Sequence, residues 1–279
     1  MGDAPCRPVR EPMSYTFDDI KQAYARVGVS RGRVVLVKTD LRPLGAFEQP
    51  GRTAILSAHL NAIAELVDLG LGTVVVSTDS MSLCNTDTPF DVAQTKSELG
   101  VFTEFVRRQE GAVRSRHPFK SHAALGAHAE RICGNVARHG TGLETPKARM
   151  LELDPLYLSL GLEPRWTCSY VHQMEHLMGV PYRYTKEFMH PMVQNDGTVA
   201  VEPFYLFVMY RELDVVRNRN VKIFRNYFDM GFRVEQAPLG DGFVWGYSCR
   251  DFCTATADYL RQDIYGWMDA PPEQRPYRN

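Results

Sequence analysis

Residues 171–176 read Val-His-Gln-Met-Glu-His, and three of these six side chains can move a proton or hold a metal. On a helix, spacings of three and four bring His172, Glu175 and His176 to one face. Two chemistries fit. HQMEH matches the H-x-x-E-H zinc-hydrolase pattern, with His172 and His176 as ligands and Glu175 as base. Such a site needs a third ligand downstream, and Glu202, Glu212 and Asp214 are available. In the second chemistry a histidine takes a proton from a nucleophile while a carboxylate orients it. The plain alternative is an amphipathic helix with His176 exposed.

A second cluster is Arg-Ser-Arg-His-Pro-Phe-Lys-Ser, which puts Arg114, Arg116, His117 and Lys120 within seven residues. It falls between two expected helices. A basic loop feeding a helix N-terminus is a ready anion site, because unpaired amides and the helix dipole both favour negative charge. The plain alternative is a solvated basic loop.

The elements that must position these residues alternate. TFDDIKQAYARVGV carries a capping signal and apolar spacing for a helix. RVVLVKT (33–39) is a β-branched strand, RTAILSAHLNAIAELVDLG a helix, and GTVVVST (72–78) a second buried strand. This order predicts a βαβ unit with parallel strands. ELGVFTEFVRRQEG and SHAALGAHAERICGNVARHG read as two helices, LYLSLGL (156–162) as a strand, and SYVHQMEHLMG as the helix carrying His172. TVAVEPFYLFVMYREL, RVEQAP and FVWGYS read as later strands, and the chain closes on a helix from Ser248. The fold class expected is α/β: a partly parallel mixed sheet flanked by helices, with an added antiparallel portion. One domain over 1–279 is expected, with tails at 1–12 and 270–279. His59, His122, His128 and His139 are expected on helix surfaces, and His190-Pro191 in a loop.

Composition narrows the classes. Among 279 residues, 44% are apolar and 23% charged, and 32 basic residues against 33 acidic ones give a formal charge of −1. Bulk charge therefore argues against nucleic acid or an anionic membrane as partner. No CxxC pair occurs among the six cysteines. The first residues carry no apolar signal region, and Cys6 does not fit a myristoylation site. A reduced, cytoplasmic protein, monomer or homodimer, is expected.

Taken in order, the motifs resemble the aminoglycoside 3-N-acetyltransferase family. The resemblance rests on Pro89-Phe90-Asp91, Leu99-Gly100, Arg114-Ser115-Arg116-His117-Pro118, and Ala124, Gly126, Ala129 and Glu130. Thr145-Pro146, the Cys168-Ser169-Tyr170-Val171-His172-Gln173-Met174-Glu175 segment and Val180-Pro181-Tyr182 complete it. It runs from about residue 16 to 262 and is clearest over 88–183.

The resemblance implies acetyl transfer, or transfer of another acyl group, from CoA to an amine of a small molecule, without a metal. It implies that His172 is the catalytic base, with Glu212 and Asp214 as the acids that orient it. It places Lys38, Thr39, Arg114, Ser115, His117 and Ser121 at the cofactor, and Lys120 beside it. Lys38-Thr39-Asp40 stands where the family has His-Ser-Ser. Asp87, Ser169, Tyr170 and Glu175 are expected at the acceptor. The charge balance and the tyrosines near His172 favour a metabolic or biosynthetic amine over a polycationic aminoglycoside. The alternatives are a zinc hydrolase and a catalytically inactive ligand-binding member of the family.

Overall fold

The computed structural model describes residues 14–210, 217–218 and 220–275. The expected tail at 1–12 and the end of the other lie outside that range. The helices are α1 (Phe17–Arg26), α2 (Arg52–Val67), α3 (Val101–Arg107), α4 (Ala129–Cys133), α5 (Pro146–Glu152), α6 (Pro164–Thr167), α7 (Val171–Leu177), α8 (Val221–Asp229) and α9 (Cys249–Gln262). The strands are β1 (Val34–Thr39), β2 (Thr73–Ser77), β3 (Val113–Arg114), β4 (His122–Gly126), β5 (Leu156–Leu160), β6 (Arg183–Val193), β7 (Val199–Met209), β8 (Glu235–Leu239) and β9 (Gly242–Ser248).

Seven strands form one sheet in the order β3-β4-β2-β1-β5-β9-β8. β1 runs parallel to β2 and β5, and the other neighbours pair antiparallel. The central strands are continuous apolar runs because both sheet faces are covered. Val35, Val37, Val74 and Val76 pack with the buried faces of α1, α2 and α3. Val34, Leu36, Val75 and Tyr157 point the other way, among residues of α4, α5, α7, α8 and α9. That alternation is the period-2 geometry of a strand buried on both sides. β6 and β7 form a separate hairpin with its own cluster around Phe90, Phe119, Met192, Phe204 and Leu206. Among the described residues no helix is long and apolar enough to cross a membrane.

The βαβ start, the Thr16–Asp19 capping box and the late antiparallel strands match the reading of the sequence. Three expectations need correction. The Ala-rich stretch from Ser121 is not one helix, since residues 122–126 pair with β2 and send Ala123 and Ala124 to opposite cores. Gly126 ends that strand at φ +123°, and a Cβ there would lie 2.4 Å from the Gly72 carbonyl oxygen. Helix propensity loses to that close approach. His190-Pro191 belongs to β6, where the Pro191 carbonyl accepts the Phe90 amide at 2.9 Å. His59 and His122 are not on the surface. His59 is fully buried between the Tyr15 and Tyr24 hydroxyls, and His122 is buried in β4.

Candidate active site

The parallel strands end at a cleft, as open α/β sheets commonly arrange. Two cavities of about 540 and 410 Å³ share Lys38, Ser77, Asp79, Lys120, Ser169 and His172, and so form one two-lobed cleft. Lys38 and Thr39 come from the end of β1, Ser77 and Asp79 from the end of β2, and Lys120 from the approach to β4. His172 stands on the first turn of α7, and the roots of β6 and β7 supply Arg183, Phe207 and Met209 as a wall.

α7 is short, so packing rather than propensity must hold it. Gln173, fully buried, accepts the Gly142 amide at 2.9 Å and donates to the Gly142 carbonyl at 3.0 Å. Val171 and Tyr170 anchor the same turn in the core. With the backbone fixed, His172 and Glu175 meet at i, i+3, and Nδ1 lies 2.6 Å from Glu175 Oε2. Glu175 is completely buried; its other oxygen accepts the Tyr182 hydroxyl at 2.7 Å, and Arg183 Nε lies 3.0 Å from Oε2. Burial works to raise the Glu175 pKa, but the contacts with His172, Arg183 and Tyr182 outweigh it and hold the carboxyl below its ordinary value.

An ionised carboxylate can only accept, so the 2.6 Å contact puts the proton on His172 Nδ1. Arg183 Nη2, 3.2 Å from that nitrogen, is then a neighbouring charge and not its donor. Nε2 keeps its lone pair for the cleft. Burial lowers the imidazole pKa, with Glu175 opposing, so the net direction is down from 6.5 and the ring is neutral at pH 7. Trp267 meets the ring edge-on at 5.1 Å and carries the Arg183 guanidinium 4.9 Å from its centroid.

His176, the other half of HQMEH, goes elsewhere. Its Nδ1 pairs with Thr141 Oγ1 at 2.9 Å and its ring stacks on Phe207 at 4.6 Å. Among the described residues no three His, Cys, Asp or Glu side chains are grouped to hold a metal.

Of the residues singled out from the sequence, Lys38, Thr39, Ser169 and His172 line the cleft. Thr39 Oγ1 is buried without a hydrogen-bond partner, so this polar atom on the cleft lining is unsatisfied by the protein itself. The Asp40 charge is matched by Arg42, whose Nε donates to it at 2.8 Å. The rest of the cofactor set is spent inside the protein. Arg114 lies on Phe90 and donates to Ser121 Oγ and to the Thr78 and Thr95 carbonyls. Ser115 Oγ accepts the His122 amide, and Ser121 Oγ donates to the Thr78 carbonyl. His117 Nδ1 accepts the Phe119 and Lys120 amides, and burial drives its pKa to about 3. These four side chains build the β3–β4 turn that carries Lys120 into the cleft. The turn leads to a strand, so no helix N-terminus is added to its basic residues.

At the acceptor end, Tyr170 is wholly buried and donates to the Lys147 carbonyl, so it does not line the cleft. Tyr182 is likewise interior, and Asp87 is exposed outside the cleft. Glu175 lies beneath His172 rather than at the cleft surface. Glu212 and Asp214 fall outside the described residues. Lys147, Arg183, Arg217 and Trp267 line the cleft and were not singled out from sequence. Only Lys147 left a trace there, as a cation just inside the Thr145-Pro146 helix start.

The family model described as aminoglycoside 3-N-acetyltransferase matches residues 36–261. Aminoglycoside N(3)-acetyltransferase IV of Salmonella sp is 28% identical over 252 residues, covering 88% of this chain and 87% of that one. Aminoglycoside N(3)-acetyltransferase IX of Micromonospora chalcea is 28% identical over 203 residues, 66% of this chain and 70% of the relative. Among solved structures, AAC-IIIb in a binary complex with CoASH has a TM-score of 0.77 at 21% identity, covering 90% of this chain and 97% of that chain. AAC-VIa bound to sisomicin has a TM-score of 0.76 at 19% identity, covering 90% and 98%. At that identity these structures show the fold. The match over most of the length, on a cleft built around a carboxylate-held histidine, places the chain in the aminoglycoside 3-N-acetyltransferase family, whose members are acetyl-CoA-dependent N-acetyltransferases.

Proposed function

We propose that the cleft moves an acetyl group from acetyl-CoA to the amine of a small molecule, with His172 as general base and Glu175 as the carboxylate that holds it. The observation that carries this reading is the 2.6 Å contact between His172 Nδ1 and a buried, ionised Glu175, which leaves Nε2 as the proton acceptor in the cleft. An amine must shed a proton as its nitrogen attacks. A neutral imidazole with a pKa below 6.5 is unprotonated and able to take it at pH 7. Ion pairing to Glu175 then stabilises the imidazolium, and the proton on Nε2 is available for the departing sulfur. The thioester supplies the activated carbonyl. Thr39 and Ser169 offer polar atoms along its approach.

The relatives are named for aminoglycosides; for this chain we read the acceptor as a small amine of metabolism or biosynthesis. The described cleft lining of the larger lobe carries Lys38, Lys120, Lys147, Arg183 and Arg217 against Asp79, a poor receptor for a polycation. His172→Gln tests the chemistry. Thiol release should fall by about two to four orders of magnitude, the size of a general-base contribution, while CoA titrates as in wild type. Full activity in H172Q would end the proposal. A panel of aminoglycosides and small amines tests the acceptor: efficient acetylation of the former alone would overturn that part.

A further inference from the structure

Two ammonium groups in the cleft have no carboxylate partner among the described residues, and nothing in the proposed proton transfer uses them. Lys147, on the first turn of α5 and nearly buried, donates one hydrogen bond from Nζ, to the Ser169 carbonyl at 2.9 Å. Lys38, at the end of β1, donates one, to Ser77 Oγ at 2.7 Å. An ammonium has three donors, so each has more to give. Lys120 joins them on the same lining, already paired with Asp79 at 2.6 Å. Like charges gathered in a cleft cost stability unless a ligand collects them.

We infer that Lys38 and Lys147 form a cradle for an anionic group, a carboxylate or a phosphate, carried by the acceptor amine. The preferred substrate class is then an amine that also bears an acid, and the ammonium pair fixes the acid end while its nitrogen reaches His172. This rests on the acyl-transfer reading above and names its substrate. The electrostatics agree. Burial first, then Lys38 and Lys120, bring the Lys147 pKa down to about 7, and burial brings Lys38 to about 8. Among the described residues, the charged or titratable groups around Lys147 include Lys38, Asp79, Lys120, His122, His172, Cys253 and the Tyr170 ring beneath its Nζ. Asp79 is the one carboxylate of that described set, and Lys120 holds it. A bound anion should therefore raise the Lys147 pKa and draw in a proton near pH 7.5.

The test compares matched acceptors: glucosamine 6-phosphate with glucosamine, and 6-aminohexanoate with its amide. Wild type should prefer the acidic member of at least one pair in kcat/KM, and the better pair tells phosphate from carboxylate. In Lys147→Met and Lys38→Gln that preference should shrink by about 10- to 100-fold, the range for hydrogen bonds to charged groups. Wild type should also take up a proton on binding the acidic amine, seen by calorimetry in buffers of different ionisation enthalpy. Thermal melting confirms that the variants fold, and either one suffices. No preference for an acidic acceptor in wild type overturns the inference, as does an equal loss with both members of a pair, which would make the lysines catalytic. A tenfold weaker CoA affinity in the variants, with acceptor preference intact, assigns the cations to the cofactor's phosphates and also overturns it. If no amine releases thiol, the acyl-transfer reading fails. Equilibrium binding of glucosamine 6-phosphate against glucosamine, in wild type and Lys147→Met, still decides the anion site.

Discussion

Replacing Glu175 by glutamine isolates what its charge does. The amide is nearly the same shape, and its oxygen will take the Oε2 position, where His172 Nδ1 at 2.6 Å and Arg183 Nε at 3.0 Å both demand an acceptor. Its NH₂ then faces the Tyr182 hydroxyl, which can turn to accept. The Nδ1–H tautomer survives, but the imidazolium loses its counter-ion. A hydrogen bond to a charged partner contributes about 1.5–3 kcal/mol. At 1.36 kcal/mol per decade, kcat should fall by about 10- to 150-fold, less than for loss of the ring itself. The pH profile has a definite sign. Glu175 raises the His172 pKa against the larger effect of burial. Removing the charge therefore lowers it further, and the acidic limb of kcat/KM moves to lower pH. Initial rates of thiol release from acetyl-CoA across pH 5–8 measure both quantities. An unchanged kcat, or a limb that moves up, would refute the assignment of Glu175 as the carboxylate behind the base.

Other expectations follow from the same geometry. Glu175→Ala should cost far more in stability than E175Q, about 3–5 kcal/mol in chemical denaturation, because it strands the largely buried Arg183 beside Trp267. Thr39→Val should raise the Kd for CoA by about fivefold, one hydrogen bond's contribution, with melting temperature held or improved, since Oγ1 has no partner in the protein. Gly126→Ala should lower stability by at least about 1–3 kcal/mol, because its Cβ would strike the Gly72 carbonyl. His59 and His117, both driven to about pKa 3 by burial, stay neutral in the fold where the unfolded chain would protonate. Their contribution to stability is complete above about pH 6.5 and is lost as pH falls towards 3, at about 1.4 kcal/mol per pH unit for each. Urea titrations between pH 7 and 4 should show that slope, and His59→Phe should reduce it.

What could be read in advance was local. The runs VVLV and VVVS announce buried parallel strands because each residue meets a core on one face or the other, and the Thr16–Asp19 box announces its helix. His172 and Glu175 were legible as neighbours because three residues on a helix fix their relation. Their roles were less so: Glu212 and Asp214, expected to orient the ring, lie outside the described residues, and among those described Glu175 stands directly against it. Whether it meets a ligand or supports a base depends on burial, which only tertiary packing sets. The same holds for Arg114 and His117. Their types suggest anion binding, yet a sequence cannot say that five acceptors and an aromatic face already surround a guanidinium. Lys147, Arg183 and Trp267 belong to α5, β6 and the segment after α9, and nothing short of the fold brings them together.

HQMEH also shows how one spacing can serve two chemistries. Zinc ligation at H-x-x-E-H needs both imidazoles to present a lone pair to one point while the glutamate stays free to work on water. Here each requirement is countered by a specific contact. The Glu175 oxygens are occupied by Tyr182, His172 and Arg183, so the carboxylate is a support and not a base. His176 is bound to Thr141 and stacked on Phe207, which directs it to the loop at Gly142. The cationic Arg183 lies 3.2 Å from His172 Nδ1, where a second cation would be repelled. In the proton transfer we propose, what turns the pattern away from zinc is thus the buried ion pair behind it. His172, Arg183 and Tyr182 hold Glu175 ionised, and Glu175 keeps the proton of His172 on Nδ1, leaving Nε2 to the cleft.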